Sequence, residues 1–249
     1  MRLALAIRRL ALILAGSPLD VMVDNFRLRS CLGDNVSERK YVFMPRSFDP
    51  SERALIVDEL PPDGVFVDIG ANVGIYTLTA ASVLGPVGRI IAFEPCPATY
   101  ERLRFNININ RDSMKAGEGI ALLPMGVSDR SGEFDLFLDS TNLGGNSLQK
   151  RRDDDQSMKI ECTPLLNALR GQKIGRVDIL KIDIEGAEEQ ALVPFFSDAP
   201  RALLPQVIIM ENSNEERRAA LVQTMYRLGY VKTDSLRMNS IYRLMADGP

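Results

Sequence analysis

The sequence predicts an α/β protein with a doubly wound, mostly parallel sheet and an N-terminal extension that is helical and antiparallel. Two observations lead to this fold class. From about residue 63 onward, short apolar segments with strand character alternate with helix-like segments, as parallel strands joined by crossover helices require. The chain has 249 residues, 45% of them hydrophobic, which is enough for one such domain and its extension.

The first sixteen residues have a basic amphipathic pattern. They contain Arg2, Arg8 and Arg9 and no acid, and a helix would gather their apolar residues on one stripe. No apolar run in this segment approaches the ~20 residues that cross a bilayer. We therefore expect a cytoplasmic protein in which residues 1–16 either pack on their own domain or make weak peripheral contact with the inner face of the membrane.

A strand-rich segment follows this helix. Residues 26–29 alternate apolar and polar side chains, residues 32–35 have the composition of a turn, and residues 41–44 are strand-like. These patterns predict short antiparallel strands in the extension.

A helix is predicted at the start of the main domain. Asp49 is a candidate N-cap, Pro50 takes the first helical position, and Glu52 follows three residues after the cap, which is the pattern of a capping box. Two prolines after Leu60 should end this helix. We therefore divide the chain into an extension of residues 1–50 and a main domain of residues 51–249.

The main domain alternates strands and helices along its length. Strands are expected at residues 65–68, 89–94, 120–127, 177–183 and 206–211, helices at 74–84, 97–110, 186–196 and 215–228, an inserted hairpin arm at 134–138, and a closing strand pair at 230–233 and 240–245.

Composition excludes several classes of function. Histidine is absent, so Ser-His-Asp and Cys-His relays and His-ligated metals cannot occur in this chain. Lys and Arg total 30 against 33 Asp and Glu, a balance that disfavours general nucleic-acid binding. Cys31, Cys96 and Cys162 are far apart, which argues against a zinc site and a secreted disulfide framework and favours a reducing cytoplasm.

The first predicted strand of the main domain is followed by a glycine-containing loop, which we expect to bind a ligand. Counted from Gly70, the second and third glycine positions of a dinucleotide fingerprint are Asn72 and Ile75, so the fingerprint fails. Asp68 would repel a diphosphate but would suit the ammonium group of S-adenosylmethionine. Glu94 ends the second strand about twenty residues beyond this loop, the spacing at which a carboxylate accepts hydrogen bonds from ribose hydroxyls.

Two other functions share parts of this pattern. A nicotinamide-dependent oxidoreductase would use the same sheet and the same ribose acid, but it needs the glycines that are missing here. A non-catalytic S-adenosylmethionine-binding module would keep Asp68 and Glu94, yet it would have no use for the acid pair at Asp183 and Glu185. We expect binding of S-adenosylhomocysteine and not of NAD to separate these readings.

Three segments together resemble the FkbM-type S-adenosylmethionine-dependent methyltransferases. They read VFVDIGANVGIYTLTAA, IIAFEPCPATYERLRFNININ and DILKIDIEGAEEQAL, and the likeness runs in order from about residue 51 to residue 245. The resemblance implies a seven-stranded, Rossmann-like class I methyltransferase fold. It also implies S-adenosyl-L-methionine as the cofactor and O-methylation of a sugar, glycoconjugate or polyketide-type hydroxyl.

The same resemblance implies which residues hold the cofactor, with the turn at residues 127–129 flanking the adenine. The cofactor-binding residues that we predict are Asp68, Gly70, Ala71, Asn72, Gly74, Glu94, Pro95, Val127, Ser128 and Asp183.

Asp183 and Glu185 are the predicted catalytic residues. They lie two positions apart at the end of the fourth strand, on one face of an extended segment and beside the cofactor loop. Without histidine, a carboxylate is the expected acceptor of the proton that leaves the substrate hydroxyl. No metal site is predicted, although Asp183, Asn212 and another carboxylate offer the oxygen ligands that Mg²⁺ would use in a metal-assisted variant.

The acceptor, a small molecule or a glycan, is expected on the same edge of the sheet. A polar loop at residues 139–150 should cover its pocket and be mobile without ligand. Glu188 either contacts the acceptor or interacts favourably with the positive end of its helix. Glu211 and Asn212 either bind acceptor hydroxyls or cap the next helix. The predicted acceptor-binding residues are Asn142, Asn146, Ser147, Glu188, Glu211 and Asn212.

Overall fold

The computed structural model describes residues 18–139, 142–150, 156–212 and 218–245. The strands are β1 (Leu19–Val23), β2 (Phe26–Ser30), β3 (Val65–Ile69), β4 (Arg89–Phe93), β5 (Ile120–Leu123), β6 (Gly126–Val127), β7 (Gly132–Phe137), β8 (Ser157–Thr163), β9 (Ile179–Ile182), β10 (Val207–Glu211), β11 (Tyr230–Ser235) and β12 (Asn239–Leu244). The helices of more than one turn are α1 (Val36–Phe43), α2 (Pro50–Glu59), α3 (Ile75–Val83), α4 (Pro97–Asn110), α5 (Leu165–Gly171), α6 (Glu188–Asp198) and α7 (Ala219–Arg227).

A seven-stranded sheet forms the centre of the main domain. Its spatial order is β5-β4-β3-β9-β10-β12-β11, and β12 runs in the opposite direction to the other six strands. The chain therefore starts in the middle of the sheet, winds out to one edge and returns to build the other. This confirms the predicted α/β class with a doubly wound, mostly parallel sheet of seven strands.

Both faces of this sheet are covered by helices, and the central parallel strands are accordingly apolar at nearly every position. All five residues of β3 are buried. Alternate strand side chains enter two cores, with Phe66 on the side of α2, α3 and α4 and Val67 on the side of α5, α6 and α7. The carboxyl ends of β3, β4, β9 and β10 consequently meet at one protected edge.

The extension differs from its prediction in one element. The predicted strand at residues 41–44 is wrong. Residues 41–43 form the last turn of helix α1, and Met44 is its C-cap. Asn35 caps this helix by accepting a hydrogen bond from the Glu38 N–H at 3.0 Å, and Tyr41 is fully buried with its ring centroid 5.5 Å from that of Phe48. Capping and tertiary packing thus override the strand propensity of this apolar stretch.

Asparagine side chains of α4 hold the extension against the main domain. Asn110 accepts a hydrogen bond from the Arg27 N–H at 2.8 Å, and Asn106 accepts one from the Arg29 N–H at 2.7 Å. The two amides lie one turn apart on α4, so they satisfy backbone groups of β2 much as another strand would. The buried guanidinium of Arg102 adds ion pairs to acids of the extension.

A second, three-stranded sheet is inserted between β5 and β9. It has the order β6-β8-β7. The strand predicted at 120–127 is divided into β5 and β6, because Pro124 lies between them and cannot donate to a ladder. The predicted hairpin arm is confirmed as β7, whereas its partner β8 and the helix α5 were not predicted.

The remaining elements agree with their predictions apart from their ends. Helix α6 begins at Glu188 rather than 186, because Glu185 (φ 57°) and Gly186 (φ 103°) form a left-handed turn before it. The predicted basic helix of residues 1–16 lies outside the described residues, as does the predicted start of the helix that becomes α7. Within the described part of the chain, no helix has the length and apolar character needed to cross a membrane.

Candidate active site

A cavity of about 240 Å³ opens at the carboxyl ends of β3, β4, β9 and β10. Helix α1 and residues 142–148 of the inserted segment lie across it, so its roof comes from outside the sheet. Many of the predicted site residues line it, namely Gly70, Ala71, Asn72, Glu94, Pro95, Val127, Asn142, Asn146, Asp183, Glu185 and Glu211.

The loop between β3 and α3 is held tightly at this edge. Gly70 (φ 80°) lies so close to the end of β9 that a Cβ atom on it would be 2.0 Å from the Asp183 carbonyl oxygen. The N–H groups of Gly70 and Ala71 both donate to the Phe93 carbonyl. This loop therefore depends on glycine for a close approach of two backbones, and it joins three neighbouring strands.

Glu94 presents its carboxylate to the cavity from the end of β4. Its oxygens accept hydrogen bonds from the Asn72 N–H and the Cys96 N–H, both at 2.9 Å. Burial raises the pKa of Glu94 to about 7. The carboxylate is thus fixed in direction by backbone donors while lone pairs on its oxygens remain for a ligand.

Asp68 does not line the cavity, in contrast to its predicted contact with the cofactor. Its side chain is fully buried on the face of β3 that packs against α3, where Oδ2 accepts a hydrogen bond from the Thr77 hydroxyl at 2.6 Å. Burial raises its pKa. The pleat of the strand sets this direction, since residue 68 shares the face of Phe66.

Three carboxylates converge on the opposite wall. Asp183, Glu185 and Glu211 each place one oxygen within 4.8 Å of the others. Among the described residues this is the one group of three acids close enough to share a divalent cation. The ligands considered from sequence for a metal-assisted reaction were Asp183, Asn212 and another carboxylate, whereas this group contains Glu185 and Glu211 and not Asn212. Burial, followed by repulsion from Asp183 and Glu185, raises the pKa of Glu211 to about 8.

Lys181 is the cation beside these acids, and the sequence analysis missed it. Its side chain is buried in the middle of β9, with Nζ 3.2 Å from Asp183 Oδ2 and 4.9 Å from the centroid of the Tyr76 ring. A signal was present, because a lysine inside an apolar strand needs a charged partner. Lys181 therefore fixes the Asp183 carboxylate and offsets part of the negative charge.

Six predicted residues shape the walls without lining the cavity. Glu188 accepts hydrogen bonds from the N–H groups of Ile184 and Gly186 in the turn before α6. Ser147 donates to the Glu185 carbonyl at 2.9 Å. Asn212 donates to a carbonyl of the turn between β11 and β12. The full set is Asp68, Gly74, Ser128, Ser147, Glu188 and Asn212.

The roof joins two segments that are distant in sequence. Asn142 accepts a hydrogen bond from the Val36 N–H at 3.0 Å, and the Leu143 N–H donates to the Asp34 carbonyl at 2.8 Å. Asn146 accepts one from the Asp139 N–H at 2.9 Å. The inserted loop is thus hydrogen-bonded to the start of α1 and to the turn before it.

Asp49 and its neighbours complete the cavity on the side of the extension, and they were not predicted as site residues. Asp49 has left-handed backbone angles (φ 41°) and makes no side-chain cap to α2. Its carboxylate instead accepts a hydrogen bond from the Tyr76 hydroxyl at 3.0 Å, and the rings of Tyr76 and Phe48 have centroids 6.4 Å apart. The predicted capping box does not form, since Glu52 accepts from Asn239.

Comparison with known proteins identifies the type of domain. Residues 68–232 match the family model of the methyltransferase FkbM domain. The chain is 30% identical over 166 residues to methyltransferase sdnD of Sordaria araneosa, and this match covers 55% of the chain and 62% of sdnD. It is 28% identical over 138 residues to hexuronic acid methyltransferase AglP of Haloferax volcanii, covering 55% of the chain and 52% of AglP.

Two further similarities concern larger proteins. The chain is 29% identical over 243 residues to AMB antimetabolite synthetase AmbE of Pseudomonas aeruginosa, a match over 82% of the chain and 11% of AmbE. The crystal structure of methyltransferase FkbM from Methylobacillus flagellatus aligns with a TM-score of 0.48 at 15% identity, over 84% of this chain and 55% of that one.

Proposed function

Since the chain belongs to the FkbM methyltransferase family, we propose that it uses S-adenosyl-L-methionine to methylate a hydroxyl group of a sugar, glycoconjugate or polyketide-type small molecule. The observation that carries this proposal is the Glu94 carboxylate, which faces the cavity while two backbone N–H groups hold it. A carboxylate in that state is a strong acceptor for a pair of ribose hydroxyls.

The residues around Glu94 fit the rest of an adenosyl ligand. The wall beside it is apolar, with Phe93, Pro95, Val127 and Leu136 lining the cavity, which suits the faces of an adenine ring. Five carboxylates line the cavity against two lysines, so a diphosphate would be repelled there. S-adenosylmethionine, when bound, supplies a methyl group on a positively charged sulfur, and the acidic cavity favours that charge.

Asp183 is the proposed base for the acceptor hydroxyl. It lies past the end of β9, next to the cofactor loop, and Lys181 holds one of its oxygens at 3.2 Å. The other oxygen accepts the hydroxyl proton as the new C–O bond forms and the bond between the methyl carbon and sulfur breaks. Glu185, whose carbonyl is held by Ser147, is the second carboxylate within reach of an acceptor in this part of the cavity.

The acceptor side of the cavity suits a polyhydroxylated molecule. Carboxylates on two walls, at Asp49 and at Glu211, can accept hydroxyl hydrogen bonds, and Phe48 and Tyr76 offer aromatic surface between them. AglP, whose name gives hexuronic acid as its substrate, is similar to this chain over 138 residues. We therefore place sugars first among the acceptors to test, and a neutral sugar before a uronic acid, because the acidic cavity that disfavours a diphosphate also disfavours another carboxylate.

Calorimetry followed by an acceptor screen tests this function. The chain should bind S-adenosylhomocysteine and should give no binding heat with NAD. Labelled S-adenosylmethionine is then incubated with the protein and neutral sugars, uronic acids or polyketide alcohols, and methylated products are identified by mass spectrometry. Binding of NAD without binding of S-adenosylhomocysteine would favour the oxidoreductase reading, and binding without transfer to any class would favour a non-catalytic module.

A further inference from the structure

The extension reaches the cofactor loop through one buried amide. Asn35 is fully buried, and its Nδ2 donates to Asn72 Oδ1 at 2.7 Å. Its Oδ1 accepts from the Glu38 N–H and caps α1. Both ends of the Asn35 amide are therefore used, and its orientation is fixed.

Asn72 is a residue whose conformation needs support. Its φ of 53° places it in the left-handed region, which costs free energy for any residue with a Cβ atom although asparagine tolerates it better than most. In that conformation its N–H points at Glu94 Oε2 at 2.9 Å. The Asn72 side chain is also confined on its far side, since a Cβ atom on Gly144 would lie 2.8 Å from Asn72 Nδ2.

We infer that Asn35 is a positioning residue of the cofactor site. It acts through Asn72 on Glu94, by a chain of two hydrogen bonds that runs from the extension into the cavity. Asn35 lies outside residues 68–232, which match the family model, so the extension supplies part of what orders the cofactor loop. This inference rests on the proposed use of S-adenosylmethionine.

Residues 34–36 form a junction between the cofactor loop and the inserted loop. Val36 and Asp34, on either side of Asn35, are hydrogen-bonded to Asn142 and Leu143 of the inserted loop. Residues 34–36 thus contact the cofactor loop on one side and the roof of the acceptor side on the other. An ordered cofactor loop should therefore favour an ordered roof through this junction.

The substitution Asn35→Ser isolates the contact with Asn72. Serine is as good an N-cap as asparagine, so α1 is preserved, but its side chain is too short to reach Asn72 as well. The Kd for S-adenosylhomocysteine, measured by calorimetry, should rise about 3- to 10-fold, as expected for loss of one hydrogen bond that orders the site. Amides of residues 70–74 should exchange faster with solvent in this variant.

Asn110→Ser is the matched control. Asn110 also joins the extension to the main domain by amide hydrogen bonds, but to β2 and away from the cavity. This variant should lower the Tm by about 2 to 4 °C and leave both the Kd and the exchange of residues 70–74 unchanged. Equal losses of affinity in the two variants, or wild-type affinity in Asn35→Ser, would overturn the inference.

The two hypotheses fail in different ways. If the wild-type chain gives no heat with S-adenosylhomocysteine, the proposed function is wrong, and the exchange of residues 70–74 still reports whether Asn35 orders the loop. If the wild-type chain binds and Asn35→Ser binds equally well, only the role of Asn35 is wrong.

Discussion

The two sides of the cavity are stabilised by different kinds of contact. On the cofactor side, the carboxylate of Glu94 is satisfied by backbone N–H groups from adjacent loops. On the acceptor side, Asp183, Glu185 and Glu211 lie close together, and the ammonium of Lys181 is 3.2 Å from Asp183 Oδ2. The first side holds one carboxylate with neutral backbone donors, whereas the second places three acids beside a buried lysine, where burial and repulsion between the acids raise the pKa of Glu211.

The largest effect is expected from Asp183→Asn, which removes charge from the acceptor side and preserves shape. If Asp183 takes the hydroxyl proton, turnover should fall by about 10²- to 10⁴-fold. The rate of S-adenosylhomocysteine formation with an acceptor from the screen measures this loss. Calorimetry with S-adenosylhomocysteine should give the wild-type Kd, because Glu94 and its loop are untouched.

Two results would change this assignment. Loss of turnover together with loss of cofactor affinity would mean that Asp183 holds the amino acid part of the cofactor. Turnover close to that of the wild type would leave Glu185 as the candidate base and would remove Asp183 from the mechanism.

A smaller loss is expected on the cofactor side from Glu94→Ala. Deleting a charged acceptor for two hydroxyls should weaken binding of S-adenosylhomocysteine by about 1 to 3 kcal/mol, which is roughly 5- to 150-fold in Kd. The matched control is Glu101→Ala, an exposed glutamate of α4 that pairs only with Arg104 among the contacts seen for it. Unchanged affinity in Glu94→Ala would show that this carboxylate does not contact the ribose.

The cofactor side was largely predictable from sequence because its parts are local. A strand, a glycine loop and an acid at the end of the next strand fix Gly70 and Glu94 within about 25 residues of chain, and sheet topology brings their strands together. Asp68 does not line the cavity, and the pleat of β3 gives the reason. Its alternation with Val67 and Ile69 directs it towards α3 and away from the cavity.

The acceptor side was predictable where a strand end carries an acid, as at Asp183, and where the polar loop of Asn142 and Asn146 was expected to cover the pocket. The contacts that reach the site from the extension were not predictable, since Asn35 and Asn72 are 37 positions apart and Val36 and Asn142 are 106 positions apart. Such contacts depend on how the extension and the inserted sheet pack, which no local pattern encodes. Asp49 was assigned to a helix cap by its sequence context, yet it turns its carboxylate to Tyr76.

The pH dependence of stability should distinguish the buried Glu94 from an ordinary carboxylate. Burial raises its pKa from 4.5 to about 7, so the folded chain holds this proton more tightly than the unfolded chain does. The resulting stabilisation is fully present below pH 4.5 and is lost as the pH rises through about 7. Glu94→Gln cannot ionise, so its Tm relative to wild type should increase by about 5 to 10 °C between pH 5 and pH 8.

Other acids with raised pKa values do not contribute to the difference in Tm between the wild type and Glu94→Gln. Glu38 and Glu211 also have raised pKa values, but they are present in both proteins. Thermal melts of the free chains at several pH values measure the difference. A constant difference in Tm would mean that Glu94 ionises in the folded chain as it does in the unfolded one. Cofactor affinity should show the opposite trend and strengthen with pH in the wild type alone, because the ionised carboxylate is the better acceptor.

The smallest effect is expected in the loop that covers the acceptor side. Its described residues are tied to α1 through Leu143 and to the turn before α6 through Ser147 and Gln149, so ligands that order those two elements should also protect the loop. Hydrogen exchange of residues 142–150 should slow by about tenfold when S-adenosylhomocysteine and an acceptor are both present. Residues 132–135 of β7, which are paired within the inserted sheet and do not line the cavity, provide an internal control with unchanged exchange. Exchange of residues 142–150 that is equally fast with and without both ligands would exclude a lid and would leave the loop as a fixed wall of the cavity.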